Sequence, residues 1–114
     1  MRTLEQLNLC PGDRQAIQRA ADVLRRQYGA QRIVLFGSKA RGDDDAESDI
    51  DLLVLIDGPV DWDLKRRMRR ALCPIGLELG VCFGTLVVST QAWQHGVYRV
   101  MPIRHEIERE GVAA

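Results

Sequence analysis

Two short stretches of this sequence carry residues that could do chemistry together. Residues 37–42 read Gly-Ser-Lys-Ala-Arg-Gly, and residues 48–54 read Ser-Asp-Ile-Asp-Leu-Leu-Val. Asp49 and Asp51 stand one residue apart at the head of an apolar run. Alternate residues of a strand share a face at a rise of about 3.3 Å per residue, so the two carboxylates would project together, roughly 7 Å apart at the backbone and closer at their oxygens. Such a pair can share a hard cation such as Mg2+, which takes oxygen ligands and keeps substrate phosphates and water in its shell. Gly37 ends the run Arg32-Ile33-Val34-Leu35-Phe36, and its missing side chain lets a phosphate approach the backbone. Ser38 can donate its hydroxyl and cap the turn that follows. Backbone N–H groups at such a helix start favour an anion, and Arg41 can reach phosphate oxygens with its planar fork. A phosphate cradle followed by a carboxylate pair is what chemistry on a nucleoside triphosphate requires.

Other patterns fit the same residues less well. A Walker A loop needs Lys-Ser or Lys-Thr after its last glycine, and Asp43 follows Gly42. A calcium loop starting at Asp43 needs glycine at its sixth position, which is Ser48. Arg41-Gly42-Asp43 spells an adhesion tripeptide, a match that three residues often make by chance. The bland alternative is a solvated acidic turn that Asp49 and Asp51 merely cap.

The stretch resembles the signature of the DNA polymerase β-like nucleotidyltransferase superfamily, and is most similar to its small members, the minimal nucleotidyltransferases. The residues that carry the resemblance are Gly37, Ser38, Ala40, Arg41, Gly42, Ser48, Asp49, Asp51, Leu52 and Val54. The resemblance implies that Gly37 and Ser38 hold the triphosphate and that Asp49 and Asp51 hold magnesium. It implies an α/β fold, a small mixed sheet with helices packed on it as a palm-like core. It also implies transfer of a nucleoside monophosphate, adenylate from ATP, to an acceptor hydroxyl. In minimal nucleotidyltransferases that hydroxyl can lie on a partner protein, often a small helical HEPN-type toxin to which the enzyme is antitoxin.

The elements that must position these residues can be read from periodicity. Pro11-Gly12-Asp13 looks like a helix start with Asp13 as a possible cap, and Ile17, Ala20, Ala21, Leu24 and Tyr28 recur at helical spacing before Gly29. Strands are expected at 31–36 and 49–56, with a short helix near 38–41 between them, the second strand apolar at every position of its distal half, as for a strand buried on both faces. Trp62 to Cys73 reads as an amphipathic helix ending before Pro74, with Lys65, Arg66, Arg67, Arg69 and Arg70 opposite Leu64, Met68 and Leu72. That basic face is either solvated or a docking surface for an acidic partner or for the phosphates of RNA. A strand from Leu79 to Val88, a short turn holding Trp93 capped by Ser89 or Thr90, and a helix from Pro102 to Glu110 complete an α-β-α-β-α-β-α order. Trp62 and Trp93 are expected to pack at helix edges, and His95 and His105 to lie on the surface.

Composition sets further bounds. The 114 residues leave room for one core, so 1–114 reads as a single domain. The formal net charge is zero, which gives no global pull towards nucleic acid or membrane. Three cysteines, Cys10, Cys73 and Cys82, are odd in number and widely spaced, which favours reduced thiols in a cytoplasmic protein. No apolar leader or membrane-length run is evident.

One feature departs from the resemblance. The superfamily mechanism uses a third carboxylate, from the next strand, to help hold the metal that activates the acceptor. Relatives often carry aspartate soon after a Gly-Val like Gly80-Val81, and Cys82 stands there. A neutral thiol is a poor magnesium ligand and a poor base. Glu78 is the only acid in the expected strand and lies about 13 Å from Cys82 along it. Two functions therefore stay open: an active nucleotidyltransferase, or a weak or inactive relative that binds nucleotide or partner.

Overall fold

The apolar run that follows the carboxylate pair forms β3, Ile50–Ile56, with every residue after Asp51 buried. Five consecutive apolar side chains can be buried only where a sheet is covered on both faces. The computed structural model, which describes residues 1–45 and 47–114, meets that demand with helices on either side. Ile50, Leu52, Val54 and Ile56 join the core under α1 (Pro11–Tyr28) and α3 (Trp62–Leu79). Leu53 and Leu55 alternate to the other face, where they meet Trp93 of α4 (Thr90–His95) and Ile107 of α5 (Pro102–Glu110).

The sheet has the order β1-β5-β2-β3-β4. β2 (Arg32–Phe36) runs antiparallel to β3, and β4 (Phe83–Ser89) runs parallel to it through the α3 crossover. Two-residue strands, β1 (Arg2–Thr3) and β5 (Val112–Ala113), extend the β2 side. No helix among the described residues is long and apolar enough to cross a membrane.

Three expectations need correction. α3 does not stop before Pro74 but runs on to Leu79. An interior proline costs about 3 kcal/mol or more, yet Ile75 is buried beyond it and Leu79 packs on the same core. Burying such side chains returns about 1.5–3 kcal/mol each, enough to carry the helix on. The strand expected from Leu79 accordingly begins only at Phe83, and Glu78 belongs to α3, where its carboxylate pairs with Arg19 of α1 at 2.8 Å. Asp13 does not cap α1: the Cys10 thiol accepts the N–H of Asp13 instead. Trp62 is 80% exposed rather than packed, with Lys65 lying over its ring. Trp93 is buried as expected, His95 and His105 are exposed, and Ser89 is the cap of α4.

Candidate functional site

Three neighbouring strands converge on Asp51. Its Cα partner on β2 is Phe36, immediately before Gly37, and its partner on β4 is Gly84. A Cβ placed on Gly37 would stand 2.5 Å from Asp51 Oδ2, and one placed on Gly84 would stand 2.6 Å from Asp51 Oδ1. The half-buried carboxylate thus occupies a slot whose two walls are glycines, because any larger side chain there would collide with it. Gly37 has a second reason to be glycine: its φ of 77° and ψ of −157° lie in a region that side chains avoid. That conformation turns the chain sharply from β2 into the single turn α2 (Ser38–Arg41).

The slot shapes the electrostatics. Burial raises the pKa of Asp51, the charge of Asp49 raises it further, and the cation of Arg41 partly offsets both. Asp49 lies just before β3 and is exposed. The sensitivity of Asp51 to both neighbours places Asp49, Asp51 and Arg41 in one local field. Among the described residues, no group of three or more His, Cys, Asp or Glu side chains could hold a metal, so this is a pair and not a triad.

Ser38 is the first residue of α2 and does not cap it; Gly37 takes the cap position. Main-chain bonds close the turn, with the Gly37 carbonyl accepting from both Ala40 and Arg41. Arg41 donates Nε to Asp43 at 3.1 Å and lies 3.7 Å from Glu110 of α5. A cleft of about 220 Å³ beside it is lined by Phe36, Gly37, Arg41, Ile103, Glu106 and Glu110 among others. Arg41 must exchange these carboxylates for phosphate oxygens to take the role foreseen for it.

The sequence reading missed the buried ion cluster behind the turn. Lys39, with a side chain only 3% exposed, reaches Asp13 of α1 at 2.8 Å and Asp44 of the acidic loop at 3.0 Å. Burial alone would lower the pKa of Lys39, but the two carboxylates together raise it, and Lys39 holds Asp44 below the usual carboxylate range. Arg2 adds a second clamp, donating to the carbonyls of Ala40 and Glu110 at 2.9 Å each. Breaking a buried ion pair by removing one partner costs about 3–5 kcal/mol, because a buried charge is left uncompensated. Lys39→Met is expected to destabilise the protein by that amount in urea unfolding, and adding Asp13→Asn should recover part of it. A loss below about 1 kcal/mol would mean that the cluster does not hold the turn.

The residue beside the carboxylate pair on β4 is Gly84 and not Cys82. Cys82 precedes the strand, its thiol is exposed, and its carbonyl accepts the N–H of Ile50. Glu78, on α3 and paired with Arg19, is no substitute ligand. A glycine inside a strand often marks a close backbone approach, and Gly84 could have been noticed on that ground.

Known proteins share this fold. A solved structure of a chain provisionally described as a minimal nucleotidyltransferase superposes with a TM-score of 0.59 at 28% identity, covering 92% of this chain and 96% of that one. A second, described as a toxin–antitoxin with AMP-PNP, gives a TM-score of 0.54 over 84% of this chain and 70% of that one. At 20% identity the second likeness speaks for the fold alone. A protein of Methanocaldococcus jannaschii carrying the provisional name of a protein adenylyltransferase is 43% identical over 81 residues, 69% of this chain and 76% of that protein. The family model described as the nucleotidyltransferase domain matches residues 17–80, a span that runs from α1 through the glycine-serine turn and both aspartates to the end of α3. With that span and that relative, the chain belongs to the nucleotidyltransferase domain family.

Proposed function

We propose that this protein binds a magnesium complex of ATP and transfers adenylate to a hydroxyl of an acceptor protein. The observation that carries the reading is the seat of Asp51 between two glycines, with Asp49 beside it and the Gly37–Ser38 turn at its edge. Two carboxylates suit a cation that completes its shell with phosphate oxygens and water, so Asp49 and Asp51 would hold Mg2+, which would neutralise phosphate charge. The glycine-serine turn would cradle the triphosphate, and Arg41 would add a cation after leaving Asp43. In the reaction the acceptor oxygen forms a bond to the α-phosphorus, the bond to the β-phosphate oxygen breaks, pyrophosphate leaves, and the hydroxyl proton passes to solvent. The relative named as a protein adenylyltransferase supports a protein as acceptor. The expected acceptor is a HEPN-type toxin, with this chain as its antitoxin.

A second reading has its own observation. With Gly84 opposite Asp51, no side chain on β4 can act as base or third ligand, which favours a protein that binds nucleotide and transfers slowly or not at all. Labelled ATP, supplied with a HEPN-type toxin as acceptor, distinguishes the two. Label on the partner that disappears in Asp51→Asn supports the transferase. Nucleotide binding without label supports the second reading, and loss of both refutes the site.

Gly84→Asp sharpens the test. The new Cβ would stand 2.6 Å from Asp51 Oδ1, so that carboxylate must rotate, and like charges would then crowd the slot. The variant is expected to melt lower than wild type without metal, to recover with Mg2+, and to transfer up to about 100-fold faster, the lower range of what a positioned base contributes. Unchanged transfer in a folded Gly84→Asp protein would show that residue 84 is not where the missing group belongs.

A further inference from the structure

The outer edge of the sheet is open over the first half of β4, where Phe83, Gly84, Thr85 and Leu86 are half-buried, and closed beyond it, where Val87 and Val88 are buried. β4 has a strand neighbour on one side only. The Ile50 N–H donates to the Cys82 carbonyl, and in the parallel register of Ile50 with Phe83 this turns residues 82, 84, 86 and 88 inward. Phe83, Thr85 and Val87 therefore direct their N–H and C=O groups away from β3. Exposed edges are usually blunted by charge, proline or a bulge. The sequence of β4, Phe-Gly-Thr-Leu-Val-Val-Ser, has neither charge nor proline.

A groove of about 280 Å³ runs beside this edge, between β4 and α3. Leu72, Leu77, Val81 and Phe83 give it an apolar lining, Leu77 being 81% exposed, and Arg69 adds a cation to that lining. The basic face of α3 is not uniformly free. Arg66 and Arg67 are taken up by Asp63 at 3.1 and 2.9 Å. Arg69 and Arg70 are exposed and form no ion pair among the described residues. An open edge, an apolar groove and the free guanidinium of Arg69 thus lie side by side, and Arg70 follows Arg69 on α3.

We propose that this edge and groove dock an extended, acidic segment of a partner protein, added to the sheet beside β4. Main-chain bonds to Phe83 and Thr85 would give affinity, alternate apolar side chains would enter the groove, and carboxylates would meet Arg69 and Arg70. A second copy of this chain is the poorer occupant, because pairing β4 with its own copy about a two-fold axis brings both sets of arginines to one seam. The added strand would lie about 4.8 Å from β4, the strand that carries Gly84 opposite Asp51. The proposal does not rest on nucleotide chemistry.

The test is an NMR titration of the isotope-labelled protein with two blocked peptides, one alternating valine with glutamate and one alternating valine with lysine. The glutamate peptide is expected to shift the amides of Phe83 and Thr85 and to bind at least about tenfold more tightly than the lysine peptide. Arg69→Glu with Arg70→Glu should reverse that preference, and N-methylation of the peptide's bonding edge should abolish binding. Shifts confined to other surfaces, equal affinity for the two peptides, or no binding at millimolar peptide would overturn the proposal. So would sedimentation showing a dimer that Thr85→Lys dissociates, which would give the edge to a second copy.

Discussion

Gly37→Val is expected to abolish nucleotide binding, and the slot around Asp51 explains why the effect should be large. Two independent penalties meet at this residue. Its backbone conformation, φ 77° and ψ −157°, costs a side-chain-bearing residue on the order of 1–3 kcal/mol. The new Cβ would also stand 2.5 Å from Asp51 Oδ2, so the carboxylate must leave its position or the turn must open. Either response removes the surface on which phosphate is proposed to lie. Gly37→Ala should already show most of the loss, since both penalties arise at Cβ. Thermal melting should record a folded protein of reduced stability. A folded Gly37→Val protein that binds ATP as wild type does would refute the cradle. Ser38→Ala should do less, about 0.5–1.5 kcal/mol for one hydroxyl hydrogen bond and up to about 3 kcal/mol if it is charge-assisted.

Asp51→Asn is expected to act in opposite directions on stability and on binding. Burial, and then the charge of Asp49, raise the pKa of Asp51, so the folded state holds this proton more tightly than the unfolded chain. Ionised Asp51 therefore costs stability above its raised folded pKa, and the cost fades as pH falls through that value. Asparagine removes the charge at every pH, so the variant should melt a few degrees higher than wild type near neutral pH, with the gap closing in acid. Metal needs the ionised carboxylate. Magnesium-dependent affinity should thus fall as pH drops, beginning above the ordinary carboxylate range, and should fall by about 100-fold or more when the ligand is lost. A variant that melts lower than wild type at neutral pH would show that Asp51 stabilises its slot rather than straining it.

Much of this site could be read from sequence because its signals are local. The periodicity of Ile17, Ala20, Ala21 and Leu24 and the stop at Gly29 placed α1 correctly. The apolar run from Leu52 placed β3 on a doubly covered sheet, and alternation put Asp51 on the face opposite Leu52 and Val54. The misreadings arose where tertiary contacts outweighed a local rule. Proline predicts a helix end, but the core-facing Ile75 and Leu79 carry α3 through Pro74. That single extension moves Glu78 from a strand to a helix and delays β4 to Phe83, and so passes the place opposite Asp51 from Cys82 to Gly84. The partnership of Lys39 with Asp13 and Asp44 joins residues 26 positions apart and 5 positions apart, and the first has no periodic signature. β1 and β5, two residues each, are too short for alternation to reveal.

Asp49 and Asp51 are proposed to make nucleotide binding depend on a divalent cation. That dependence is tested most directly by calorimetric titration of ATP into the wild type and the Asp49→Asn, Asp51→Asn double variant, each with and without Mg2+. Mg2+ is expected to strengthen ATP binding by the wild type and to have little effect on the double variant. Equal affinity with and without Mg2+ in both proteins would contradict it.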